Sequence, residues 1–179
     1  MGLNKVERPI WWLWSLLLGI GASLITFGIG YGLYGHSADN WYVGIFNSWA
    51  IDSTMLELPR FQLFLIYTAP AILLSPTGEE FFFRGMIHES VREHWGGGAA
   101  TAINAVAFGG VHILHHGLGW NSAGPHLAVV PGTLWVLLMM GVSWLFTQCR
   151  QQSGSIWPAV AAHATFNLVM NASIFWLLL

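Results

Sequence analysis

The chain has 179 residues, of which 55% are hydrophobic and 8% are Asp, Glu, Lys or Arg, against about 25% charged residues in an ordinary soluble domain. Its 11 Trp and 11 Phe exclude a water-soluble globule, and the same composition excludes a disordered chain, which needs low hydrophobicity and high net charge. A formal net charge of −2 leaves no basic footprint for nucleic acid, and one cysteine, Cys149, excludes an intrachain disulfide framework or a Cys-rich metal site.

What remains is an all-α integral membrane protein, in which each span needs about 20 mostly apolar residues. The run from Ile10 to Tyr34 carries no charge and is too long, and too poor in small residues at its end, for a removable signal peptide. Trp11, Trp12 and Trp14 at its start predict an interfacial anchor, and Gly28 and Gly32 predict a close helix contact. From Gly35 to Arg60 the chain is more polar, with Asp39, Asp52 and Glu57. Trp41 and Trp49 within it predict a segment lying at the membrane interface.

Phe61 to about His94 reads as one long helix kinked near Pro70 and Pro76, because proline removes an internal hydrogen bond. Three more spans follow, Gly98 to about Leu114, Leu127 to Thr147 and Ser155 to Leu178. The turns between them are predicted at Gly96-Gly97-Gly98 and over Gln148 to Gly154. The expectation is a polytopic transmembrane helical bundle of about five spans. Residues 1–60 form the first span with its interfacial segment, and residues 61–179 form the core that holds the unusual polar groups. Lys5, Arg8, Arg92 and Arg150 fall on one side of such a bundle and only Arg60 on the other. This puts the N-terminus in the cytoplasm of a multi-pass protein of the inner (plasma) membrane.

Glu79, Glu80 and Arg84 stand inside the long apolar helix. Each charge at membrane depth costs roughly 2.5–3.5 kcal/mol on insertion scales. Arg84 pairs naturally with Glu80 at i, i+4, which leaves Glu79, about 100° further round the axis, with no partner on its own helix. His112 lies in the next span, and His163 and Asn167 share a face of the last one at i, i+4. Counted from the cytoplasmic turns, Glu79, His112, His163 and Asn167 all stand about 14–22 Å up their helices, in one layer nearer the outer face.

A carboxylate in an apolar cavity suits general base or acid work near neutral pH. A histidine facing it can orient the same water, and a second histidine with an amide can hold a developing oxyanion. No Ser-His-Asp arrangement is evident, and Cys149 lies at the end of a span. The groups together suit addition of water to an amide.

Glu79-Glu80-x-x-x-Arg84, Phe108-x-x-x-His112 and His163-x-x-x-Asn167, in that order on three apolar helices, resemble the signature of the CAAX-protease and bacteriocin-processing (CPBP) intramembrane proteases. Ala69-Pro70, Phe83-Arg84-Gly85 and Gly154-Ser155-Ile156-Trp157-Pro158-Ala159 resemble its context. The resemblance implies a glutamate-dependent endopeptidase that needs no cofactor and no metal. In it Glu79 and His112 activate water, His163 and Asn167 stabilise the oxyanion, and Glu80 with Arg84 is chiefly structural. The implied substrate is a protein or peptide with a membrane-embedded segment, exported or membrane-anchored as for bacterial members, with the bilayer as the other partner. Two rival readings come from the same residues. His112 and His116, spaced i, i+4, suit a zinc-dependent membrane metalloprotease, with His115 and His116 otherwise polar residues where the helix meets water. Intramembrane Glu and His residues also suit a non-enzymatic peptide-binding immunity or transport protein.

Overall fold

The computed structural model describes residues 3–49, 51, 55–121 and 124–178. Among them, four helical stretches are long and apolar enough to cross a membrane: Ile10–Tyr34, Arg60–Leu114, Val129–Ser153 and Trp157–Leu178. The second has 55 residues and is a hairpin. Its backbone leaves helical geometry at Gly96, at φ 80° and ψ 171°, a conformation open chiefly to glycine. The chain then folds back, so that the Phe83 and Phe108 rings stand 5.1 Å apart and His88 Nε2 meets Thr101 Oγ1 at 3.3 Å. Three single helices and the two arms of this hairpin make the five membrane-length segments that the apolar runs predict.

The first arm comprises α3 (Arg60–Leu73), α4 (Ser75–Glu80) and a π-helical stretch, Phe81–Ile87. The kink falls at Leu74, between the two prolines, while Pro76 sits in the first turn of α4, where its missing N–H costs nothing. The π stretch buries three consecutive residues, Phe83, Arg84 and Gly85. Wide turns of this kind occur often at functional sites. α5 (His88–Val111) then carries the reversal at Gly96 and ends in a tight turn, His112–Leu114.

α1 (Ile10–Tyr34) lies along α7 (Trp157–Ser173) with a stripe of small residues, Ser15, Gly19, Ala22, Ser23, Thr26 and Gly30. A Cβ on Gly19 would run into the Ala162 carbonyl, and one on Gly30 would sit 2.8 Å from the Trp41 ring. Gly28 and Gly32 have nothing within 4 Å of that position, so the expected glycine pair is not the packing pair. Their spacing suits a contact, but only tertiary structure selects which face of α1 is covered. Gly19→Ala should therefore cost about 1–3 kcal/mol, as overpacking does. Gly28→Ala should be neutral in the same detergent-unfolding measurement.

α2 (Trp41–Ser48) packs into the bundle, with Trp41 and Tyr42 wholly buried. Asn40 caps the helix by accepting from the Tyr42 N–H at 3.0 Å. The Trp41 indole donates to the Thr26 carbonyl at 3.1 Å and stacks on Trp135 at 5.7 Å. The Tyr42 hydroxyl donates to the Ser23 carbonyl at 2.8 Å, and burial pushes its phenol up to about 12. These two hydrogen bonds let aromatic side chains with polar tips enter the bundle. Asp52 of the same stretch lies outside the described residues.

α6 (Val129–Ser153) extends through most of the turn expected over Gln148 to Gly154. Arg150 there pairs with Glu89 at 2.9 Å and Cys149 is fully buried. Tertiary contacts hold this end helical, and the reversal shrinks to a stop at Gly154, with φ 73°. Between α5 and α6 the otherwise helical chain adds a short antiparallel hairpin, β1 (Leu118–Asn121) and β2 (Gly124–Leu127), with Leu118 paired to Leu127.

Candidate active site

Glu79 and Glu80 leave α4 in different directions and meet different chemistry. Glu80 is fully buried. Its Oε1 accepts from Arg84 Nη1 at 3.0 Å and from His163 Nδ1 at 2.8 Å. Arg84, equally buried, donates Nη2 to the Ser143 carbonyl at 3.0 Å and to Ser143 Oγ at 2.8 Å. Its guanidinium also lies 4.4 Å from the centre of the Phe108 ring, a further favourable contact for a cation out of water. The expected Glu80–Arg84 pair is therefore present, with His163 as a third member that i, i+4 spacing does not reveal.

Glu79 is only half-buried and, among the described residues, has no cationic partner. It accepts a short hydrogen bond from Ser75 Oγ, one turn earlier on α4. It lines a cavity of about 220 Å³ together with His112, His163 and Asn167. All four residues assigned to one layer by helix counting thus meet at one space, while Glu80 and Arg84 stay behind its wall.

Each partner is aimed by a hydrogen bond. His112, where α5 tightens into its last turn, lies with Nδ1 2.6 Å from the Phe108 carbonyl. A carbonyl only accepts, so Nδ1 carries the proton and Nε2 keeps a lone pair. The His163 ring stacks on Phe146 at 5.0 Å and meets the Phe108 edge at 5.8 Å. Asn167 uses one N–H on the Ala71 carbonyl of α3, at 2.8 Å, and retains a second.

Other residues at the cavity escaped the sequence reading. Ser75 was legible as the i, i+4 neighbour of Glu79, but nothing local marks Trp49 and Tyr67. Their rings stack at 4.7 Å and both line the cavity. His115, expected where the helix meets water, also lines it, with its ring 4.9 Å from that of His112. His116 is buried instead, 6.4 Å from the Trp41 ring and against Gly44. It does not reach the cavity among the described residues, so the expected His112–His116 pair is split by the packing of α2. Among the described residues, no three His, Cys, Asp or Glu side chains gather to hold a metal ion.

A family model described as type II CAAX prenyl endopeptidase Rce1-like matches residues 61–169, more than half of the chain. The match includes Glu79, Glu80, Arg84, His112, His163 and Asn167. No curated protein and no solved structure matches the chain.

Proposed function

The chain belongs to the type II CAAX prenyl endopeptidase Rce1-like family, and from that premise we propose that it is a glutamate-dependent intramembrane endopeptidase. The observation that supports this most is the division of labour between the two carboxylates. Glu80 is committed to Arg84 and His163, whereas Glu79 faces the cavity that also holds His112, His163 and Asn167.

A water held between Glu79 and His112 Nε2 donates one hydrogen to each. Its lone pair is thereby turned towards the substrate carbonyl. Glu79 takes the proton as hydroxide adds to the carbonyl carbon, and later delivers it to the departing amine as the C–N bond breaks. Charge on the tetrahedral oxyanion falls to the second N–H of Asn167 and to His163. Because His163 Nδ1 already faces Glu80, its Nε2 donates only when the ring is doubly protonated. The Glu80 carboxylate is the group that would hold that positive charge, which gives it a positioning role beyond a structural pair.

The substrate of this reading is an exported or membrane-anchored protein or peptide with a membrane-embedded segment. The N-terminus lies in the cytoplasm of a multi-pass protein of the inner membrane. In support, Arg92 and Arg150 pair with the Glu89 carboxylate and stand together with Asn4, which precedes α1. Residues 61–179 act as the catalytic core, with α2 closing its cavity.

Cleavage of hydrophobic-tailed, internally quenched peptides by protein in liposomes tests the proposal. Activity should survive a strong zinc chelator and the His116→Ala substitution. Loss under chelator that added zinc restores would favour the metalloprotease reading instead.

A further inference from the structure

Two residues that line the same cavity each carry a buried polar atom without a partner among the described residues, and the two atoms are of opposite kinds. Trp135 on α6 is 1% exposed, lines the cavity with its ring 6.5 Å from that of His112, and has no hydrogen-bond partner for Nε1–H among the described residues. Asn171 on α7 is likewise 1% exposed and lines the cavity. Its Nδ2 donates to Thr68 Oγ1 at 3.1 Å, while its Oδ1 has no partner among the described residues. Buried polar groups are nearly always satisfied, so an orphan in a cavity wall points to a ligand that supplies the complement. Asn171 lies beyond the stretch matched to the family.

We infer that Trp135 and Asn171 clamp the substrate main chain. Trp135 donates to a substrate carbonyl on the His112 side, and Asn171 accepts from a substrate N–H on the Tyr67 side. An extended peptide offers one donor and one acceptor per residue, and the spacing fits. Asn171 stands four residues beyond Asn167 on one face of α7, a rise of about 6 Å. Two residues of extended chain cover about 6.6 Å. With a carbonyl oxygen at Asn167, the N–H that Asn171 accepts belongs two residues from the scissile bond. The substrate class is therefore a segment unwound to an extended strand at the site, with an apolar side chain against Tyr67. A substrate that stayed helical would spend those main-chain groups on itself.

This clamp rests on the endopeptidase reading, and the test separates them. Internally quenched peptides with a hydrophobic C-terminal segment, with and without an S-prenyl cysteine, are presented in liposomes to wild type and to the Glu79→Gln, Trp135→Phe and Asn171→Leu proteins. The clamp predicts that Trp135→Phe and Asn171→Leu each raise KM about tenfold, the scale of one lost hydrogen bond in a site closed to water. Thermal unfolding of Trp135→Phe should be unchanged or improved, since it removes only an unpaired polar atom. Asn171→Leu, which also gives up the bond to Thr68 Oγ1, should melt somewhat lower while remaining folded. An ester in place of the amide two residues from the scissile bond, scanned on both sides, should cost wild type the same factor at one position and cost Asn171→Leu nothing further there. Wild-type KM in both variants, with Glu79→Gln dead, overturns the clamp and leaves the endopeptidase standing. So does an ester penalty that persists in Asn171→Leu. Failure of wild type to cleave any peptide, or cleavage by Glu79→Gln at the wild-type rate, overturns both.

Discussion

Glu79→Gln protein should fold and melt like wild type while cleaving peptide about 10²–10⁴-fold more slowly, the usual worth of a positioned general base. The substitution keeps the shape of the side chain and its bond from Ser75 Oγ, because the amide oxygen still accepts. It removes only the capacity to take a proton from water. Glu79 is half-buried and has no cationic partner among the described residues, so no buried charge is left exposed to a low dielectric by its loss. Single-turnover cleavage in liposomes, beside thermal unfolding of the same preparation, reads both halves of the expectation. A peptide-binding immunity or transport protein would keep its affinity and would show no cleavage in wild type. Full activity in Glu79→Gln would remove the glutamate mechanism.

The neighbouring carboxylate should behave in the opposite way. Glu80→Gln keeps an acceptor oxygen beside Arg84 but leaves its fully buried guanidinium without a countercharge, with only neutral groups, Ser143 and the Phe108 and Phe146 faces, otherwise around it. Breaking a buried ion pair on one side costs about 3–5 kcal/mol, because the surviving charge stays desolvated. The expected result is a lower melting temperature and lower yield, with activity lost as well because the group 2.8 Å from His163 Nδ1 no longer carries the negative charge that would hold a doubly protonated ring. Replacing both members, Glu80→Leu with Arg84→Met, should recover much of the stability, since an apolar pair of similar volume avoids the desolvation cost. It should not recover cleavage. Recovery of both would mean that Glu80 does nothing for His163.

These two adjacent glutamates show how far a sequence can be read. The i, i+4 spacing of Glu80 and Arg84 foretells their pairing because both lie on one helix, where geometry is local. That His163 joins them is not legible, since 83 residues separate it from Glu80 and only the packing of α7 on α4 closes the distance. Likewise, Asn167 was marked by being polar in an apolar helix, but its contact with the Ala71 carbonyl depends on where α3 ends. Gly96 announced a turn through its glycine run. The persistence of α6 through Gln148 to Ser153 was hidden, because the Glu89–Arg150 pair that supports it joins distant segments. The packing of Trp41 was hidden too, since nothing nearby in the sequence reports that the Thr26 carbonyl waits for its N–H.

Composition and apolar run length alone determined that this protein is a membrane-embedded helical bundle, where its spans begin, and which polar side chains stand out within them. These follow from local physics: the bilayer's thickness sets the length of a span, and the cost of each intramembrane charge marks the few that are kept. Tertiary structure decided which glutamate faces the cavity and which is spent behind its wall, which glycines touch a neighbour, and that α2 enters the bundle to split His116 from His112. Those outcomes depend on which helix faces meet. Helical periodicity defines the faces without choosing their partners, because the choice is made by packing and hydrogen bonds between residues far apart in the chain.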